Sequence, residues 1–489
     1  MLQRLRETLT LALLALLPLH ALLVTVATKL ILGPGHAPMG MLAVWKEGLL
    51  MIILLGAGME LLFGRMKNEK WKVKNIRFDM IDGFIAALIA LSIFASIFHS
   101  SFSIFHYALG FKYDFIPLVS FLILRRVSWS DCFLPRAERA LLGVGVIVAL
   151  YGIVTFFLPA GFFTWLGYSD LHSLYVPDGP LAAFQQIGGS SLRRIQSTMS
   201  GPNQMGLWLM IPWGVCIASL VRKNVTSLLR YFVLACIAIA LLLTFSRSAW
   251  IGATIIALLG VGSLLPRMVF WRVTAALGAL VLIIAVTVSL LVPSVFIRFS
   301  SSRDHYLRPM EAVRSIIAHP LGQGLGSAGP ASNRVSDACV FLDAGADATW
   351  AKDRPDLCVF VGDAQVQPAD RDCNCPFIPE NWYLQIGVEL GVLGLILYAM
   401  FIIFIVWHLQ DAVKSEKRKE KNNDGISTFH FSLFTFLFFV GLSIAALFLH
   451  AWEDAAVAYT AWLLVAVLLR TGSTDTSPPA IRHHPAAAG

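Results

Sequence analysis

Apolar runs of about 18–25 residues recur along almost the whole sequence, each long enough to cross a bilayer core as a helix. A spanning segment finds no water for its backbone N–H and C=O groups. It must satisfy them internally, which selects helix over open sheet. Charged residues make up 14% of the chain and hydrophobic ones 57%, whereas a soluble domain carries about 25% charge. The expected class is an all-α polytopic membrane protein.

Twelve spans are expected, at about 9–32, 42–64, 79–99, 113–124, 140–160, 203–221, 228–245, 249–266, 271–293, 382–408, 429–449 and 454–470. The fourth is the shortest. The first follows Arg4 and Arg6 as a signal peptide would. It is longer than an ordinary h-region and lacks a cleavage site at Thr25–Leu32, so it is expected to stay as an anchor. Residues 1–293 then hold nine spans, 294–381 one large polar loop, and 382–470 three more spans. The tail at 471–489 is rich in Pro, Ala and Ser and is expected to be disordered. His483 and His484 in it are expected to be incidental.

Orientation follows Lys and Arg in the short loops. The connection at 64–77 has six of them. Arg125, Arg126, Arg136 and Arg139 follow the fourth span, and Lys414, Lys417, Arg418, Lys419 and Lys421 follow the tenth. Arg222, Lys223, Arg230, Arg267 and Arg272 fall on the same face by alternation, as do both termini. This face is expected to be cytoplasmic, which puts 294–381 outside. The net charge of +8 therefore reports membrane topology, and no nucleic-acid partner is expected.

Four of the seven cysteines lie in the polar loop: Cys339, Cys358, Cys373 and Cys375. Outside the cell, disulfides persist. Cys373 and Cys375 are too close to bond each other comfortably, so each is expected to pair with Cys339 or Cys358. A zinc site would need a second well-spaced ligand pair, which is missing. Asp370 and Asp372 are spaced as a carboxylate pair, but acidic loops show that spacing by chance, and no metal is expected. Cys132, Cys216 and Cys236 read as small apolar residues.

The outer face gathers arginines that topology does not require. Arg193 and Arg194 precede the sixth span. Arg247 sits in the tight turn between spans seven and eight. Arg303, Arg308 and Arg314 lie on a stretch that reads as an interfacial helix. A guanidinium is always charged, and its planar fork matches phosphate oxygens. Any one alone would be explained by snorkelling to headgroups. Arg247 has almost no loop around it, so its charge must face a polar cavity or headgroups. Lys46 lies a turn inside the second span. Glu47 beside it points elsewhere on a helix, so the two are not a ready-made pair. Candidate bases are Asp304, His305, His319 and Glu380; His305 is one turn from Arg308. Asn203, Asn381 and Tyr383 are candidate substrate-lining residues. The Gly-x-Gly-x-x-Gly spacing at 324–329 lacks a preceding strand, so it is not a dinucleotide site. Its glycines instead permit tight turns and close approach to substrate or to a neighbouring helix.

Four stretches carry a family resemblance: QSTMSGPNQMGLWL at 196–209, TFSRSAWIG at 244–252, AHPLGQGLGSAG at 318–329 and ENWYLQIGVELGVLGLILY at 380–398. Together, in this order, they resemble the bacterial O-antigen ligase and polymerase superfamily. The likeness covers about 190–400; elsewhere it is one of topology. It implies a GT-C-like fold in the bacterial inner membrane. It also implies transfer of a glycan from undecaprenyl pyrophosphate to an acceptor hydroxyl on a glycan or lipid-linked acceptor, without metal or other cofactor. Arginines hold the pyrophosphate in this family, which points to Arg194 and Arg247, with Arg308 as the loop arginine. A loop residue activates the acceptor, which points to Glu380 or His305. Lipid A core ligases often have His where Glu380 stands, so the resemblance leans toward a chain-extending polymerase. Two rival expectations remain: a polysaccharide transporter or flippase, and a non-catalytic scaffold that docks partners on the loop.

Overall fold

The computed structural model describes residues 1–67, 78–98, 103–170, 179–187, 192–221, 228–263, 266, 268–272, 274–275, 299–342, 345–355, 357–362, 364–420 and 426–470. The tail, most of the expected ninth span, and the side chains of Arg303, Asp304 and His305 lie outside the described residues.

Among the described residues, six helical segments are long and apolar enough to cross a membrane: Leu2–Leu32, Gly40–Leu62, Met80–Ile97, Phe133–Phe157, Trp382–Lys419 and Thr428–Ala445. The expected spans one, two, three, five, ten and eleven fall on them. Where the short fourth span was expected, Ile104–Asp114 and Ile116–Leu124 meet at 49°, a broken segment that would make a seventh crossing. Leu228–Leu243, Arg247–Gly262 and Ala455–Leu468 are apolar but shorter. The last is buried at every position from Ala456 to Val467, as an all-apolar helix at the centre of a bundle must be. Large apolar side chains such as Leu55, Leu242 and Ile403 stand exposed on the outside, a surface suited to lipid.

One end of the bundle is tied by charge. Arg6, 1% exposed, sits 3.0 Å from Glu60. Arg126 lies 2.7 Å from Asp82, Arg125 pairs with Asp79, and His430 lies 2.9 Å from Glu138. Asp79 and Asp82 also cap Met80–Ile97 reciprocally, each side chain accepting the other's backbone N–H. This is the end where the basic short loops were expected. Several of the cations that set the expected topology are thus also helix-end ties.

The opposite end carries the polar loop, and here the all-α expectation needs correction. Ala338–Leu342, Leu357–Val361 and Ala364–Gln367 form a three-stranded sheet, its first pair parallel and its second antiparallel. Disulfides Cys339–Cys375 and Cys358–Cys373 fasten the 368–375 segment to it, one of the two cross-pairings expected. Asp337 lies beside Cys358 and Cys373, but those sulfurs are bonded to each other and offer no thiolate to a metal. Cys132 is exposed rather than a core residue; Cys216 and Cys236 are buried.

The loop is also not wholly external to the bundle. Phe299–Ala318 is helical, and its Ala312 and Ile316 pack with Val388. The glycine-rich stretch after it enters the helical frame. Trp382–Glu420 is broken at Gly391 (φ 74°, ψ −172°), which frees carbonyls that a continuous helix would use. Gln323 N–H donates to Val388 O at 2.8 Å and Gly324 N–H to Glu389 O at 3.1 Å, while Val392 N–H donates to Pro320 O at 3.0 Å. The loop thus completes the backbone pairing of the broken helix, the condition for irregular backbone inside such a frame. Gly322 and Gly326 make this fit: both have positive φ, and a Cβ would overlap the Glu389 and His106 carbonyls respectively.

Candidate functional site

At the loop end lies a cavity of about 440 Å³, within the range of about 300–1,000 Å³ usual for small-ligand pockets. Lys46 and Glu47 enter it from the first turn of Trp45–Lys67, and Lys112 from just before the break at Phe115. Arg334 enters from the turn after the short helix Gly329–Ser332, and His450 and Glu453 from the connection before Ala455–Leu468. His20, Tyr113 and Tyr459 add to its polar lining, as do Ser200, Gln204, Asn333 and Asp454. Lys46 Nζ is 3.6 Å from Glu47 Oε1 and 3.0 Å from His20 Nε2, and Lys112 Nζ is 2.9 Å from Glu47 Oε1. Lys46 and Glu47 therefore do meet, contrary to the expectation for adjacent helical positions. They sit at the helix start, where long side chains can reach round to a shared partner.

Arg194 does not line this cavity, and connects to it through Asn203, whose chain neighbour Gln204 does. A short hairpin pairs Gln185 with Arg194. From it the guanidinium donates to Thr244 O at 3.0 Å, to Gln185 Oε1 at 3.0 Å and to Asn203 Oδ1 at 2.7 Å. Thr244 is three residues before Arg247, which starts the Arg247–Gly262 helix and is half-buried. Gln204, next to Asn203, lines the cavity. The two arginine motifs and the cavity thus share the start of Pro202–Val221.

The remaining candidates separate. Arg308 Nη1 lies 3.6 Å from Glu380 Oε1, so the expected phosphate ligand and the expected base form an ion pair. Asn381 Oδ1 accepts from Leu384 N–H at 3.0 Å and caps the helix that follows, and its Nδ2 donates to Leu447 O. Tyr383 donates its hydroxyl to Ser443 O at 2.9 Å. These two residues hold the fold rather than line the cavity. His319 is exposed at the end of Phe299–Ala318. The side chain of His305 lies outside the described residues.

Among the described residues, three non-glycine positions have positive φ: Ser197 (52°), Phe245 (48°) and Glu380 (54°). This left-handed backbone is uncommon for such residues and gathers at functional sites. All three fall in the sequence stretches singled out above.

Sequence reasoning missed Lys112, Arg334 and three buried acids: Asp114, Glu389 and Glu453, which are 5%, 0% and 4% exposed. Asp114 and Glu389 stand at the two helix breaks, and their carboxyls lie against each other. The signal was present: an acid inside an apolar span is rare and commonly functional, and both lie within expected spans. No family model matches this chain. No curated protein matches it either.

Proposed function

We propose that this protein transfers a glycan from a polyprenyl diphosphate to an acceptor hydroxyl, as an O-antigen ligase or polymerase does. The observation that carries the proposal is the coincidence of left-handed backbone at Ser197, Phe245 and Glu380 with the motif stretches, two of which bring Arg194 beside the Arg247 turn. In this mechanism Arg194 and Arg247 grip the diphosphate, and Arg308, paired with Glu380, borders the acceptor path. The cations stabilise charge that develops on the leaving group. The neighbouring cavity receives the sugar-bearing acceptor; its mixture of amines, carboxylates and phenols suits hydroxyl-rich ligands. Attack of the acceptor oxygen on the anomeric carbon displaces the diphosphate and inverts that centre. The full architecture in this proposal has twelve spans and a GT-C-like arrangement in a bacterial inner membrane. The disulfide-bearing loop lies outside and both termini in the cytoplasm, since disulfides persist outside. The test uses lipid-linked glycan extracted from a strain lacking the protein. Purified wild type should transfer it, and Arg194→Ala or Arg247→Ala should lose at least about tenfold in transfer, the scale of one charge-assisted contact. Full activity in both variants would refute the proposal.

A transporter is the second reading, and one observation favours it. Broken helices with buried acids at the breaks are a frequent transporter feature, and Asp114 and Glu389 stand at such breaks here. Movement of lipid-linked glycan across liposomes that lack any acceptor would decide for transport.

A further inference from the structure

Glu453 and Asp454 are neighbours with different duties. Asp454 caps Ala455–Leu468, its Oδ1 accepting from Ala456 N–H at 3.0 Å and Val457 N–H at 3.1 Å. Glu453 lines the cavity and is 4% exposed, and its carboxyl lies against the Gln385 side chain and the Ala331 backbone, with neither contact at full hydrogen-bonding geometry. The Gln385 side chain is itself fully buried, and apart from Glu453 its amide has no hydrogen-bond partner among the described residues. Buried polar groups are ordinarily paired, and leaving one unpaired costs stability. A buried carboxylate that borders a cavity and has no cation paired with it among the described residues is matched by a ligand that brings O–H donors. A sugar acceptor does so.

We propose that Glu453 is the catalytic base of the transfer reaction, removing the proton from the acceptor hydroxyl. This rests on the glycan-transfer proposal and names the residue that acts within it. The acceptor oxygen forms its bond to the anomeric carbon as its proton moves to a Glu453 oxygen. The bond from that carbon to the donor diphosphate breaks, and the diphosphate leaves with the electron pair. Glu380 is less suited to the step because Arg308 occupies its carboxylate.

The experiment compares wild type, Glu453→Gln and Glu453→Ala, purified in nanodiscs, using lipid-linked glycan from the deletion strain. Glu453→Gln should lower turnover by about 100-fold or more, the range for loss of a general base, with donor KM unchanged. In Glu453→Ala, added formate should restore turnover at least about tenfold, because a small carboxylate replaces the missing base. Formate also separates chemistry from folding, since a variant damaged only in structure gains nothing from it. Turnover that survives Glu453→Gln, or a Glu453→Ala variant that formate does not rescue, overturns the assignment and leaves glycan transfer standing. A wild type that transfers nothing overturns glycan transfer itself, and the base with it.

Discussion

Arg308 holds Glu380 at 3.6 Å across the mouth of the Trp382–Glu420 helix. Glu380 reaches this position with a left-handed backbone (φ 54°). Both side chains are partly exposed, so their coupling is expected to be modest, about 0.2–1 kcal/mol. A double-mutant cycle of Arg308→Gln and Glu380→Gln, read by thermal unfolding in detergent, should return a value in that range. Additive losses would show that the pair does not act together.

Asn203 orients Arg194 without being able to replace its charge. Asn203→Ala removes the 2.7 Å bond to Arg194 Nη2. A hydrogen bond to a charged group is worth about 1.5–3 kcal/mol, so donor KM should rise about tenfold or more. The variant should remain folded. Steady-state kinetics with variable donor concentration check this; an unchanged KM would detach Arg194 from donor binding.

Gly326 and Gly33 separate steric overlap from backbone strain. Both have positive φ, but a Cβ at Gly33 meets nothing within 4 Å, whereas at Gly326 it overlaps the His106 carbonyl. Gly33→Ala should cost about 1–3 kcal/mol through conformation alone. Gly326→Ala should cost more, because the loop must withdraw from the frame and break its own hydrogen bonds. Thermal unfolding of the two variants side by side gives the comparison.

The small sheet should depend on its disulfides while the helices do not. Cys339–Cys375 closes a separation of 36 residues and Cys358–Cys373 one of 15. Removing such a bridge typically costs about 2–5 kcal/mol in a small domain. Reductant should therefore open 338–375 to protease and leave the helical fragments uncut. Limited proteolysis with mass mapping reads both regions at once.

Asp337 gives this sheet an acid limit. The side-chain hydrogen bond from Arg371, and after it the Asn374 N–H, hold its carboxyl below the ordinary aspartate value of 3.8. A depressed folded value means the contribution is complete above the ordinary value and is lost as pH falls through the folded one. Hydrogen exchange in 357–367 should therefore stay slow near neutrality and quicken, after correction for intrinsic rates, only below about pH 4. Arg371→Gln should shift that onset upward.

Sequence patterning revealed the frame because long apolar runs have few physical outcomes. The polar loop and its cysteine pairs were legible for similar reasons: composition marks the segment, and two residues one apart bond each other poorly. The breaks were harder to see. Phe115 and Gly391 interrupt segments that remain apolar on both sides, so periodicity passes over them. Their consequence, a glycine-rich stretch lying between Ser96, His106 and Glu389, is a long-range contact that local pattern does not encode. The site was legible in part. Arg194 was singled out for its charge and does reach the turn that precedes Arg247. Lys112 and Glu453 were passed over, since the first falls in a connection and the second beside a helix cap. Asn381 and Tyr383 stood out in sequence because the helix entrance needs them.

The hydrogen bonds between residues 320–324 and 388–392 make two parts of the chain, about 65 residues apart, interdependent in inheritance and in engineering. A chimera that takes the outer loop from one relative and the following helix from another would leave amides and carbonyls stranded, those of Gly324, Val388 and Glu389 at buried positions. Loop and helix are a single exchangeable cassette, and attempts to alter specificity by loop swaps should move 318–398 as one block.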